Sequence, residues 1–182
     1  EWAWLAEGMT NTVISDLAKG GSISVIADID RKKCMEEIAL GQSGVVDDGD
    51  MVKVGKFLGV NLIMAGSCQV LGDKIRVNCR LVTVETGAVS GSFKIDGAIN
   101  PEEKIFDLQS LIVETMMAEA SKIPSGAKKQ ALMTDQDRAV IKSLPKPNAK
   151  AFEFYSRGLK LVDTSLSEGL SCYEQALPLE KN

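Results

Sequence analysis

The stretch from Leu58 to Gly97, LGVNLIMAGSCQVLGDKIRVNCRLVTVETGAVSGSFKIDG, constrains the fold most, because its periodicity predicts a strand leading into two consecutive hairpins. Val60 to Ala65 is a short, near-continuous apolar run, as expected of a strand buried on both faces. After Gly66 the pattern alternates: Cys68, Val70, Ile75, Val77 and Cys79 share one face, while Gln69, Lys74, Arg76, Asn78 and Arg80 share the other. Gly72-Asp73 stands where a two-residue turn is required. Pairing Leu71 with Lys74 puts Val70 opposite Ile75 and Cys68 opposite Val77, so turn chemistry and hydrophobic register agree. Glu85-Thr86-Gly87 then turns the chain again, Gly87 supplying a positive φ, and Ala88 to Ile95 returns as a third strand.

The flanking segments predict helices. Trp2, Leu5, Met9, Val13 and Leu17 recur at helical spacing over residues 2 to 18, and Gly20-Gly21 ends the run. Ile23 to Ala27 reads as a strand, and Asp28 or Asp30 caps a helix carrying Cys34, Met35 and Ile38 that stops at Gly41. A polar loop, Gln42 to Asp50, leads to a short helix marked by Met51, Val54, Phe57 and Leu58. A strand, helices and a second strand make a right-handed parallel crossover, which places Ile23–Ala27 near Val60–Ala65. Residues 101 to 123 form a longer helix, with Asn100 as N-cap, Pro101 in the first position and Ile105, Leu108, Ile112 and Met116 along one side. The expected fold is α/β: a mixed sheet with a parallel crossover and antiparallel hairpins, packed with helices.

Three segments follow from this pattern: an α/β domain over 1–123, a basic linker over 124–147, and a C-terminal helical hairpin over 148–182. In the linker, Thr134 with Asp137 three residues on can start a short helix through Ile141. In the last segment, Phe154, Gly158 and Leu161, then Gly169, Tyr173 and Ala176, resemble the packing positions of a single tetratricopeptide repeat; the loop near Thr164 is one residue short, and Pro178 departs from the pattern. One repeat cannot bury its own apolar face, so the chain is expected to continue past Asn182. Phe154, Leu161, Tyr173 and Leu177 are the candidate protein-interaction surface. They are expected to be covered by another copy of the chain, giving a homodimer, or by its own first domain.

The amino-terminal part carries a second resemblance. The entry through Leu5-Ala6-Glu7-Gly8, the helix, strand and helix after it, the Leu58-Gly59 step, Ala65-Gly66-Ser67 and the Glu85-Thr86-Gly87 turn are similar, in order and spacing over residues 1 to about 98, to the domain of CsgG-type curli-assembly lipoproteins and TolB amino-terminal domains. The resemblance implies a non-catalytic module that binds other proteins in the bacterial envelope, with a periplasmic or outer-membrane address and a lipid anchor upstream. Related domains begin with a strand ahead of the first helix, whereas only Glu1 precedes Trp2 here. The missing strand leaves a sheet edge open to a partner chain. The start at Glu1 without Met suggests a processed protein or a fragment. No large membrane-hairpin insertion is present, so a pore is not expected.

The residue inventory offers little chemistry. The 182 residues contain no histidine, and Cys34, Cys68, Cys79 and Cys172 form no CxxC pair, which argues against zinc and Cys-His catalysis. Cys68 and Cys79 are diagonal neighbours in the proposed register, at ~7–8 Å where a disulfide reaches its limit of about 7 Å. They read as core thiols, and unpaired thiols favour a reducing compartment. Gly44 and Gly49 have the separation of a phosphate loop, but Asp50-Met51 follow where Lys and Ser or Thr are needed. Asp47, Asp48 and Asp50 suit the start of a helix and lack a calcium-loop pattern around them. Ser43, Ser67, Ser90 and Ser92 have no base to activate them.

Residues 124–160 carry eight basic and three acidic side chains, among them Lys128, Lys129, Arg138, Lys142, Lys146 and Lys150, without interleaved aromatics. A solvated linker fits that pattern better than a nucleic-acid or lipid surface. No apolar run approaches the ~20 residues of a membrane span. The reading is therefore a non-enzymatic protein-binding module without cofactor or metal. The alternative is a ligand-binding sensory or regulatory domain excised from a larger cytosolic signalling protein, which accounts more easily for the free thiols and the absent first strand.

Overall fold

A computed structural model describes residues 3–20, 24–26, 48–99, 104–123 and 134–181. The stretch singled out by periodicity forms three antiparallel strands, β1 (Leu62–Leu71), β2 (Lys74–Thr83) and β3 (Val89–Ala98), in the order β1-β2-β3. The register pairs Leu71 with Lys74, Val70 with Ile75 and Cys68 with Val77, as the turn chemistry requires. Gly72 (φ 60°) and Gly87 (φ 71°) occupy the left-handed region that a side chain would resist. At the second turn the Gly87 N–H donates to the Thr83 carbonyl at 2.8 Å and the Thr83 N–H to the Ala88 carbonyl at 3.0 Å. A register shift between Leu81 and Val82 marks a bulge opposite β3.

Two expectations for β1 are corrected. The strand starts at Leu62 and runs unbroken through Gly66, and its apolar residues Leu62 to Ala65 are half-buried, not enclosed on both faces. Among the described residues β1 is an edge strand, hydrogen-bonded only to β2. Of the neighbour expected at Ile23–Ala27, Ser24–Ile26 are described and are not in a strand, while Ile23 and Ala27 lie outside the described residues. The predicted helix over residues 28–41 also lies outside them, as do Asn100, Pro101 and Cys34. The described sheet is therefore wholly antiparallel.

Helices cover this sheet. α1 (Ala3–Gly20) buries Leu5, Met9, Val13 and Leu17 along one stripe and adds Trp4, which the sequence reading left out in favour of Trp2. α2 (Asp48–Leu58) buries Met51 and Val54. It approaches Val84 so closely at Gly55 that a Cβ there would lie 3.0 Å from Val84 Cγ1 and from Ile63 Cδ1. α3 (Lys104–Ala120) buries Ile105, Leu108, Ile112 and Met116 and packs on β3. One apolar cluster joins this stripe to the α1 residues and to Ile75, Val77, Cys79, Leu81 and Ile95 of the sheet. Half-buried Cys68 and Val70 pack against the same cluster, so the face assigned from alternation is the inner one.

Residues 134–147, expected to be a tether with a helical turn, hold α4 (Asp135–Ser143). Its start is a reciprocal capping box: the Asp137 N–H donates to Thr134 Oγ1 at 3.2 Å, and the Thr134 N–H donates to Asp137 Oδ2 at 2.7 Å. Ile141 is buried in the shared core, Lys142 Nζ lies 3.0 Å from Glu114 Oε1, and Lys146 pairs with Asp107. This stretch is therefore held against α3 at several points and is not simply solvated. The chain ends in two helices, α5 (Ala149–Leu161) and α6 (Leu166–Ala176), followed by a 3₁₀ turn over Leu177–Lys181.

Candidate protein-binding groove

α5 begins at Asn148, whose Oδ1 accepts from the Lys150 N–H at 2.9 Å and the Ala151 N–H at 3.1 Å. It is locally strengthened by Glu153, which accepts from Lys150 at 2.8 Å and sits 2.7 Å from Arg157. Burial opposes ionisation of Glu153, but these two cations win and hold its carboxyl below the usual glutamate range. At the other end the Ser165 N–H donates to the Leu161 carbonyl at 2.7 Å as the chain turns into α6.

The two helices close on each other at glycines. A Cβ on Gly158 would lie 2.5 Å from Tyr173 Cε1, and one on Gly169 would lie 2.8 Å from Val162 Cα. Each glycine lets the facing helix approach to contact distance, which fixes the crossing and seats the Tyr173 ring. Tyr155 lies alongside it, ring centroids 5.9 Å apart.

The hairpin is docked on α1. Phe152 packs edge-on against Trp4 at 6.5 Å and against Phe106 at 5.4 Å, and fully buried Ser156 meets α1 at Gly8. Arg157 lies over the Trp4 ring, 5.6 Å from its centroid. The chain's own amino-terminal part thus covers α5, one of the two coverings expected for these helices.

Between α5 and α6 lies a groove of about 510 Å³. Ala151, Phe152 and Tyr155 form one wall and Tyr173, Ala176 and Leu177 the other, with Thr12 of α1, Pro147 and Glu180 at its edges. Its lining is almost wholly apolar. Leu177 is 64% exposed and Tyr155 41%. Glu180 Oε1 accepts from the Asn148 N–H at 3.2 Å, which ties the 3₁₀ turn to the start of α5.

Of the four residues singled out in the sequence, Tyr173 and Leu177 line this groove, while Phe154 and Leu161 do not. Phe154 is half-buried beneath Lys150, whose Nζ lies 5.5 Å from the ring centroid, and Leu161 is half-buried at the end of α5. The residues missed are Ala151, Phe152 and Tyr155. The run Phe152-Glu153-Phe154-Tyr155 puts aromatic rings at three azimuths of one helix, so spacing alone leaves open which ring faces the partner helix.

Elsewhere, burial raises the thiol pKa of Cys68, and that of Cys79 to about 11. Cys68, Cys79 and Cys172 are free thiols. Among the described residues no group of three or more Cys, Asp or Glu side chains could hold a metal ion, and no helix is long and apolar enough to cross a membrane.

No family model matches the chain, and no solved structure matches it. A protein of Rhizobium meliloti (strain 1021) named "Putative adenylate cyclase 3" is 26% identical to it over 117 residues, covering 64% of this chain and 18% of that protein. The chain thus spans less than a fifth of the length of the curated relative it matches.

Proposed function

We propose that this chain is a non-catalytic protein-interaction module and that the groove between α5 and α6 is its binding surface. The observation that carries the reading is the groove itself: a concave, apolar strip with Tyr155 and Leu177 standing exposed beside Tyr173. Concave, mostly apolar clefts of this volume are where ligands commonly dock. The helical pair, with glycines at its closest approaches, suits a tetratricopeptide-like unit that presents side chains to another protein.

The larger setting we favour is a signalling chain in which this region is sensory or regulatory. Its support is the relative named as a cyclase, of which the matched length is only a small part. The second reading, an envelope-assembly factor with an α/β domain like those of CsgG-type and TolB-like lipoproteins, is supported by the resemblance over residues 1 to about 98 and by the turn at Gly87.

Site-specific photo-crosslinking from position 177, in cells producing the protein, tests the binding surface and the setting together. The expected result is a discrete protein adduct that disappears with Tyr155→Asp and is absent when the probe is moved to Gln69 on the outer sheet face. Equal adducts from positions 177 and 69 would refute the groove as the binding surface. Recovery of the adduct in envelope fractions would favour the envelope setting, and recovery in the cytosol the signalling one.

A further inference from the structure

We infer that the occupant of the groove is a basic amphipathic α-helix laid along α6. The inference rests on the groove being a protein-binding surface and adds what that protein must present. Its first support is the spacing on α6. Leu166 (62% exposed), Leu170 (49%), half-buried Tyr173 and Leu177 (64%) stand at i, i+4, i+7 and i+11, a single stripe along α6 and into the 3₁₀ turn, and its last two members line the groove. At 1.5 Å per residue this stripe runs about 16 Å, three turns of helix. Side chains spaced along a helix in this way fit ridges of the same period, which an α-helix supplies.

Backbone accounting points the same way. Both walls of the groove are helices, whose interior N–H and C=O groups are bonded within their own turns. An extended segment entering the groove would find no ladder there and would lose water from its own backbone without replacement. A helix arrives with its backbone already satisfied and needs only its apolar face.

The sign of charge follows from which groups border the stripe. Glu174, one turn beyond Leu170, and Glu180, at the groove's edge, are both exposed. Of the three cations of α5, Lys150 is engaged with Glu153 and over Phe154, Arg157 with Glu153 and over Trp4, and exposed Lys160 is not part of the groove's lining. An occupant with Lys or Arg flanking its apolar stripe meets two carboxylates, whereas a second α6 would bring Glu174 and Glu180 of its own.

The test uses the 182-residue chain and two labelled 18-residue helical peptides, both with Leu at i, i+4, i+7 and i+11, one flanked by Lys and the other by Glu. Fluorescence anisotropy at low salt should show the Lys peptide binding about tenfold tighter or more, with the gap narrowing at high salt. Glu174→Lys combined with Glu180→Gln should narrow it at low salt as well. Leu177→Asp, at an exposed position, should abolish binding of the Lys peptide while circular dichroism stays unchanged. Equal affinity for the two peptides would overturn the basic occupant and leave the groove reading standing. Binding of neither would overturn the inference, with position-177 crosslinking still judging the groove. A concentration-dependent dimer removed by Leu177→Asp would make a second copy the occupant and overturn it too.

Discussion

Gly8→Ala should destabilise this protein, although in most helices the same change is favourable. In a solvent-facing position of α1, alanine in place of glycine would gain about 0.5–1 kcal/mol from backbone entropy. Here the added methyl has nowhere to go: it would sit 2.6 Å from Ser156 Cβ and 3.0 Å from Phe152 Cζ, and closer still to Ser156 Oγ. Ser156 is wholly buried on α5 and Phe152 is wedged between Trp4 and Phe106, so neither neighbour can swing aside. Overpacking of this kind costs about 1–3 kcal/mol. Prying α5 off α1 would also weaken two aromatic contacts worth about 0.5–1.5 kcal/mol each. Set against the propensity gain, the net expectation is a loss of about 1–3 kcal/mol.

For a chain of this size that loss is a fall in Tm of roughly 2–12 °C, at about 2–4 °C per kcal/mol. Denaturation followed by circular dichroism and by the fluorescence of Trp4 in a Trp2→Phe background measures it. The double variant Gly8→Ala/Ser156→Gly, which removes the nearest atoms, should lose less than the two single changes added together. A Gly8→Ala protein with a raised Tm, or strictly additive losses, would refute the tight α1–α5 crossing.

Four further outcomes follow from individual side chains. Ile75, 2% exposed in the core, should cost about 2–5 kcal/mol when replaced by alanine, while Arg76→Ala, which removes only an exposed pair with Asp96, should leave the same urea titrations nearly unchanged. Gln109 is 2% exposed and its Nε2 has no hydrogen-bond partner among the described residues, so Gln109→Met should raise stability by about 1–3 kcal/mol in thermal melts. In a Cys34→Ser background, native thiol titration at neutral pH should label Cys79 far more slowly than half-buried Cys172, because burial lifts the Cys79 pKa to about 11. Glu153 has a carboxyl pKa below its unfolded value, so its contribution is fully present above about pH 4.3 and is lost as pH falls through the folded value; Glu153→Gln should flatten that acid limb in pH-dependent melts.

The hairpins were legible because two independent signals, turn glycines and alternating side chains, specified the same register, and a slip of one residue would have turned Ile75 and Val77 to solvent. α4 was legible for the same reason, since Thr134 and Asp137 announce a capping box before any apolar residue is counted. The enclosure of β1 was misread because a continuous apolar run records hydrophobicity and not what stands beside it. Among the described residues β1 has β2 on one side only. The groove was half legible. Tyr173 and Leu177 lie on one clean stripe that runs from α6 into the 3₁₀ turn, whereas on α5 the choice among Phe152, Phe154 and Tyr155 is made by Gly8 and Ser156, which are 148 positions apart and meet only in three dimensions.

That choice bears on how the groove and the core relate. Phe152 belongs to the apolar cluster that joins α1, α3 and the sheet, and it is also part of the groove's wall. A helix pressed against Phe152 therefore contacts a ring whose other side is held by Trp4 and Phe106. Close-packed interiors deform little, so occupation of the groove tightens the same contacts that keep α5 on α1. A ligand that binds only the docked hairpin stabilises the docked state by RT ln(1 + L/Kd), where L is its free concentration, so the effect grows with that concentration. The groove and the α1–α5 crossing are in this sense one thermodynamic unit: what loosens the crossing at Gly8 weakens the groove, and what fills the groove holds the crossing shut.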